Sequence, residues 1–424
     1  MVRQAYLFPG QGSQYVGMGK ELCSTYPIAK ETIEEANDVL RVDLGSLMLG
    51  GSLKELTRTE FAQPAILTMG MAMFRVYKDI TECVPSYLAG HSLGEITALT
   101  CSGGIPFASA VSIVHRRGEL MRDAAAAGGG AMAAVTGLTE VVVADVCKLV
   151  STTHNGGTET VVVSNLNSED QVVISGHKGA LNEAAERLTE LGAVVVPLQV
   201  SAPFHSPLMA SAAEQFAKEL GKYTFMPLQY PVISSVTGVP YGSANEIGNV
   251  LTDQLTAPVR WTKVIRYLLE NEVSEAVELG PQSVLKKLAQ GVRDLKVYSF
   301  DHTPDKDLLI KMSHNQQKEF SLEFITQCMM IATSTRNRNW DTEAYAQGVI
   351  APYRKLQAML FQLEQSGKQA SWESVEQAYT LLISILKTKQ VPEAEYNQRL
   401  ERLLEENGVK QLFEKNSVES ATMI

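Results

Sequence analysis

"AGHSLGE", Ala89 to Glu95, sets a serine between two glycines in Gly90-His91-Ser92-Leu93-Gly94. The apolar "PSYLA" before it predicts a buried strand. "EITALTCSGG" after it predicts a helix with Ile96 and Leu99 inward and a glycine at its end. A G-x-S-x-G between strand and helix is the pattern of a sharp turn that lifts a serine hydroxyl clear of a sheet, its small neighbours permitting the strain. The helix behind it would direct backbone N–H groups and partial positive charge at a developing oxyanion. Taken alone, the same letters equally suit a tight turn whose serine merely caps the helix, so partners have to decide.

The surroundings predict an α/β fold. "QAYLFPG" near the start is a second buried strand ending at glycine, and "QPAILTMGMAMFRVYKDI" carries Ile66, Met69, Met73, Val76 and Tyr77 at helical spacing, with Pro64 near the start of the helix. Parallel strands joined by a core helix follow. From Ala131 the pattern becomes "AMAAVTGL", a helix over 140–149, "TVVVSNLN", "QVVISG", a helix over 178–191 and "AVVVPLQV". Strand, helix, strand, strand, helix, strand is the order of a ferredoxin-like insert.

The expected layout is an α/β-hydrolase-like large domain over 1–130 and 200–300, resuming near Ser201, with a ferredoxin-like subdomain over 131–199. A helical extension over 301–424 completes it. Its stripes are Phe320, Phe324, Cys328 and Ile331, then Ile350, Tyr353, Leu356, Leu360 and Leu363, then Val375, Tyr379, Leu382 and Leu386. Pro392 opens a last helix with Leu400, Leu403 and Leu404 inside and Gly408 as its cap. This extension carries no charged or nucleophilic constellation and is expected to pack or dock.

The 424 residues are 45% hydrophobic and 20% charged, the composition of a folded globular protein. A net charge of -10 argues against a nucleic-acid binder, because phosphate contacts need a surplus of Lys and Arg. No run of about 18 apolar residues suggests a membrane span, and no secretion signal is expected at the start. Five scattered cysteines without C-x-x-C spacing suit a reducing cytoplasm. Metal-ligand spacings are missing too, so no metal site is expected.

A neutral serine needs a base, and histidine suits that work near neutral pH. Of seven histidines, His91 would point away from so sharp a turn, whereas His205 in "VSAPFHSPLM" follows a strand and is bracketed by Pro203 and Pro207. "FPGQGSQ" (Phe8 to Gln14), "GHSLGE", "RRGELM" (Arg116 to Met121), "SNLNSEDQVVISG", "APFH" and "QLTAPVRW" (Gln254 to Trp261), in this order and spacing, resemble the malonyl-CoA:acyl carrier protein transacylase family. These are the acyltransferases of fatty-acid and polyketide synthesis. The resemblance covers about residues 1–300.

It implies that Ser92 is the nucleophile and His205 its base, oriented by the backbone carbonyl of Gln254, and that the backbone N–H groups of Gln11 and Leu93 form the oxyanion hole. Arg117, in R-G-x-x-M with Met121, would grip the malonyl carboxylate. Phe204 beside the histidine and Leu93 beside the serine are of the malonyl-using kind, and Phe204 would fill the space of an α-methyl. Asn165, Asn167 and Gln171 match positions near the acyl pocket, although strand-end hydrogen bonding would explain them as well; Gln63 would support the turn. No cofactor is implied: malonyl-CoA is the substrate, and the phosphopantetheine arm belongs to the acyl carrier protein or polyketide synthase carrier domain that receives the group. The extension beyond 300 departs from a stand-alone fatty-acid enzyme and suggests a free-standing, trans-acting polyketide synthase acyltransferase. The rival is an acyl hydrolase of the same fold, for which an arginine of this kind has no use.

Overall fold

The computed structural model describes residues 3–81, 83–126, 129–198, 202–316, 322–367, 369–410 and 413. Two compact units divide the chain, Met1–Ile310 and Lys311–Ile424. Among the described residues the strands are β1 (Arg3–Phe8), β2 (Tyr87–Gly90), β3 (Gly130–Thr136), β4 (Val161–Leu166), β5 (Gln171–His177), β6 (Val194–Pro197), β7 (Val232–Ile233), β8 (Val273–Glu278) and β9 (Lys296–Ser299).

In the first unit β7-β2-β1-β8-β9 form a parallel sheet in that order. Ala5, Tyr6, Leu7 and Phe8 are wholly buried, which is why β1 has an unbroken apolar run instead of an alternation. Its register sets Phe8 beside Gly90, at the end of β2 where the serine turn begins. The helix Thr59–Thr81 starts earlier than the proline suggests and contains Pro64. Proline has no N–H to give Glu60 O one turn back. His115 Nδ1 donates to that carbonyl instead, at 2.9 Å, so a distant histidine satisfies the acceptor that the proline leaves free.

β4-β5-β3-β6 form the second sheet, each neighbour antiparallel. The helices Glu140–Thr153 and Lys178–Glu190 cover one face, burying Val143, Val150, Leu181 and Leu188 against Val135 and Ile174. Met132, Val173 and Leu198 are turned toward a cavity. Order and pairing are those of a ferredoxin-like unit; its expected last residue and the expected restart at Ser201 lie outside the described residues. Leu166 N and Val259 N exchange hydrogen bonds with Val259 O and Ser164 O, at 2.8 and 2.9 Å, tying the insert to the segment after Gln254.

The first unit runs ten residues beyond the expected boundary at 300. Asp305 explains this: its Oδ2 accepts from Ser299 N (2.7 Å) and Lys286 Nζ (2.6 Å), and Leu309 is buried. The second unit holds the helices Glu323–Ser334, Ala351–Ser366, Trp372–Thr388 and Glu393–Glu406 around Phe324, Cys328, Leu356, Val375, Leu382 and Leu403. Phe320 lies outside the described residues. Ile350 is exposed because the wider turn Ala346–Ile350 precedes its helix and rotates it out of the stripe. Gly408, at φ 63, ends the last helix, with Gly408 N bonded to Glu405 O and Val409 N to Leu404 O. Lys389 is buried, which no pattern in the sequence announces; its Nζ donates to Ala332 O and Thr335 O, at 2.6 and 2.9 Å. Those carbonyls end the helix Glu323–Ser334, so the lysine's role there is to cap it.

Candidate active site

Ser92 follows β2 at φ 51, ψ -107, a conformation that costs a non-glycine residue about 1–3 kcal/mol. The flanking glycines make it possible. A Cβ on Gly90 would lie 1.9 Å from Gly94 C, and one on Gly94 would lie 2.0 Å from Phe8 O. Although Ser92 stands at the N-terminus of the helix Leu93–Cys101, its side chain caps nothing. Its Oγ meets His205 Nε2 at 2.8 Å. The capping alternative is thereby excluded.

His205 is 4% exposed and also left-handed, at φ 57, in a turn where Ser206 Oγ donates to Pro203 O at 2.6 Å. Its Nδ1 donates to Gln254 O at 2.7 Å. The helix Ile247–Asp253 ends just there, leaving that carbonyl without an intrahelical donor. With the proton on Nδ1, Nε2 is the acceptor for the Ser92 hydroxyl. Burial, aided by the positive charge of Arg117, pushes the imidazole down to about 3. A depressed histidine pKa keeps the base neutral through the weakly acid range, so serine acylation should retain its rate as pH falls through the range where an ordinary imidazole gains its proton. A single-turnover pH profile tests this; an acid limb centred near the ordinary imidazole value of about 6.5 would contradict it.

Arg117 is 1% exposed, in the helix Phe107–Ala126. The next residue explains its approach: a Cβ on Gly118 would lie 2.6 Å from Thr59 O, so only glycine lets the two helices press together here. NH1 donates to Gln63 Oε1 (3.0 Å), and NH2 donates to Gln254 Oε1 (2.9 Å) and Ser92 Oγ (3.2 Å). The serine thus accepts from the arginine and donates to the histidine. Arg117 Nε is buried without a partner among the described residues. Burial pulls the guanidinium down to about 10, against the opposing charge of Glu95. It remains a cation at neutral pH.

Ser92, His205 and Arg117 share a cavity of about 280 Å³ with Gln11, Leu93, Met121, Asn165 and Phe204. Gln11 N–H and Leu93 N–H, of two residues that line this cavity, are given to no protein acceptor among the described residues. Gln63 does not support the turn; it accepts from Arg117 and its Nε2 points at Met121 Sδ, 3.3 Å away. Asn165 Oδ1 accepts from Ser164 Oγ at 2.9 Å, and Asn167 bridges Gln171 Oε1 and His91 Nε2, each at 2.9 Å. His91 lines the same cavity but spends its Nε2 on Asn167, and makes no hydrogen bond to Ser92 or His205 among the described residues. Val284, Leu285 and Leu288 complete the apolar wall and were not legible in the motifs. Glu95, Ser235, Tyr241 and the Gln254 side chain were missed as well. The available signal was an acid in the first turn of a helix whose every residue is buried.

A family model described as "Acyl transferase domain" matches residues 5–337. The chain is 37% identical over 391 residues to a malonyl CoA-acyl carrier protein transacylase of Bacillus subtilis, covering 92% of this chain and 97% of that protein. It is 41% identical over 297 residues to the protein of the same name from Escherichia coli K12, covering 69% and 94%. The first alignment is too long to be confined to Met1–Ile310 and must include part of the second unit. Among solved structures, a malonyl-transacylase in complex with its holo type II PKS acyl-carrier protein matches with a TM-score of 0.70 at 38% identity, covering 73% of this chain and 99% of that one.

Proposed function

The chain belongs to the malonyl CoA-acyl carrier protein transacylase family of acyl transferases, and from that premise we propose that it carries malonyl groups from malonyl-CoA to a carrier-protein thiol through an acyl-serine. Its place is fatty-acid or polyketide biosynthesis. In the first half-reaction Ser92 Oγ attacks the thioester carbonyl while His205 Nε2 takes the hydroxyl proton. The oxyanion meets the backbone N–H groups of Gln11 and Leu93, and His205 returns the proton to the departing CoA sulfur. In the second, the phosphopantetheine thiol of the carrier gives its proton to His205, attacks the acyl-serine, and Ser92 leaves as the hydroxyl. The proton count closes, and no prosthetic group of this chain is needed.

The observation that carries this reading is Arg117. Two of its nitrogens are already bonded beside Ser92 Oγ and a third, Nε, is buried without an acceptor. A carboxylate on the acyl group supplies the missing acceptor, with charge-assisted hydrogen bonds. An acyl hydrolase acting on uncharged chains would bury that cation to no purpose. Phe204, 7% exposed on the cavity wall, occupies room that an α-methyl would need; one methyl changes binding by only about 1–3 kcal/mol, so methylmalonyl is disfavoured, not forbidden. No described helix is long and apolar enough to cross a membrane, and we place the enzyme in the cytoplasm, with its CoA and carrier substrates. Exposing the protein to malonyl-, methylmalonyl- and acetyl-CoA and weighing it intact tests the reading. A persistent malonyl adduct that a carrier protein discharges is expected, whereas rapid release of free acid would identify a hydrolase.

A further inference from the structure

The hydrogen bonds that hold Arg117 do not stop at Gln254. Glu95 is wholly buried in the first turn of the helix behind the serine, where an unpaired carboxylate would be costly. Its oxygens collect four donors. Oε2 accepts from Ser235 N (3.0 Å), Ser235 Oγ (2.6 Å) and Gln254 Nε2 (2.6 Å), and Oε1 accepts from Tyr241 OH (2.5 Å).

The polarity of this chain is forced. A guanidinium only donates, so Gln254 must turn Oε1 to Arg117 and Nε2 the other way, to Glu95 and to Ser92 O at 3.1 Å. Conversely, the carboxylate accepts only, and holds the amide in that sense from its far end. Gln254 then serves two masters: its backbone oxygen orients His205, and its side chain holds Arg117. Among the described residues neither Arg117 nor Glu95 forms an ion pair, so the amide is the link between a buried cation and a buried anion.

Building on the reading of Arg117 as the partner of the malonyl carboxylate, we propose that Glu95 is a positioning residue for malonyl selection. It acts through Gln254: by accepting from Nε2 it keeps Oε1 on Arg117 and the guanidinium in register with Ser92. Tyr241, the titratable side chain that bonds Glu95, has its hydroxyl pushed well up by burial and by that carboxylate, so it stays a donor. The charge of Glu95 also opposes the pull of burial on Arg117. Losing it leaves Gln254 free to withdraw from the arginine into the space vacated.

The experiment compares malonyl-CoA and acetyl-CoA as donors to the full chain and takes the ratio of their kcat/KM values. Glu95→Ala should lower the malonyl-to-acetyl ratio about tenfold or more, the effect of slackening one hydrogen bond to a charged group. Gln254→Leu should do the same while keeping the backbone carbonyl that serves His205, and the double variant should lose no more than the worse single one. Glu95→Gln should retain the preference, because its amide oxygen can take the place of Oε2 while its NH2 group turns to the Tyr241 oxygen. A merely structural glutamate would lower both donors together and leave the ratio alone.

A wild-type ratio in folded Glu95→Ala, or a loss in Glu95→Gln as large as in Glu95→Ala, would overturn the proposal. If Glu95→Ala does not fold, Gln254→Leu decides: an unchanged ratio there overturns it equally. Wild type and Arg117→Ala run alongside. Absence of a malonyl preference in wild type, or its persistence in Arg117→Ala, means that the reading of Arg117 has failed; with both controls as expected, an unchanged ratio condemns the Glu95 proposal alone.

Discussion

Ser92→Ala should leave the protein unable to gain any mass from malonyl-CoA, and His205→Ala should slow that gain by about 10²–10⁴-fold, the usual worth of a positioned base. The two differ in kind. Without Ser92 Oγ there is no atom to acylate, whereas without His205 the hydroxyl remains, still accepting from Arg117 at 3.2 Å, and water can take the proton slowly. Because the serine and histidine act as a unit at 2.8 Å, the double variant should be no worse than Ser92→Ala alone. Intact mass after exposure to malonyl-CoA measures both. An undiminished adduct on Ser92→Ala would mean that another side chain is the nucleophile and that the strained turn serves packing.

How much of this was legible in the sequence follows from the range over which each feature is built. The elbow is local: Gly90 and Gly94 stand where a Cβ would strike backbone within two ångströms, and three letters announce it. The antiparallel insert is legible for the same reason, since its strand–helix order leaves few pairings. Features assembled across the chain are not legible in any window. Glu95 meets Gln254 and Ser235 across 159 and 140 positions, and no periodicity ties an acid in a buried helix to an amide so far away. Pro64 misplaces a helix start because the residue that compensates for it, His115, comes 51 positions later. Lys389 looks like a surface lysine near a helix end, and only the convergence of Ala332 O and Thr335 O on its ammonium makes it internal. Family resemblance supplied Gln254 as a backbone carbonyl. What it left out is the side chain, whose partners are visible only once three segments meet.

Arg117→Ala should lower the malonyl-to-acetyl ratio of kcat/KM by roughly 10²-fold, as the loss of a charge-assisted pair of hydrogen bonds worth about 1.5–3 kcal/mol each would do when partly replaced by water. Acetyl has no carboxylate, so its transfer should suffer only through the neighbours of Arg117. Those effects are real: NH2 donates to Ser92 Oγ and to Gln254, and removing the cation leaves Glu95 buried without its counter-charge, which is destabilising. The ratio is the quantity to measure for that reason, since both rates come from one sample and an inactive fraction cancels. A second signature is independent of affinity. The positive charge of Arg117 is one cause of the depressed His205 pKa, so in Arg117→Ala that pKa should rise and the acid limb of acetyl transfer should move to higher pH. A ratio that stays at the wild-type value while both rates fall would make Arg117 a support for the serine turn and remove the main ground for a dicarboxylate substrate.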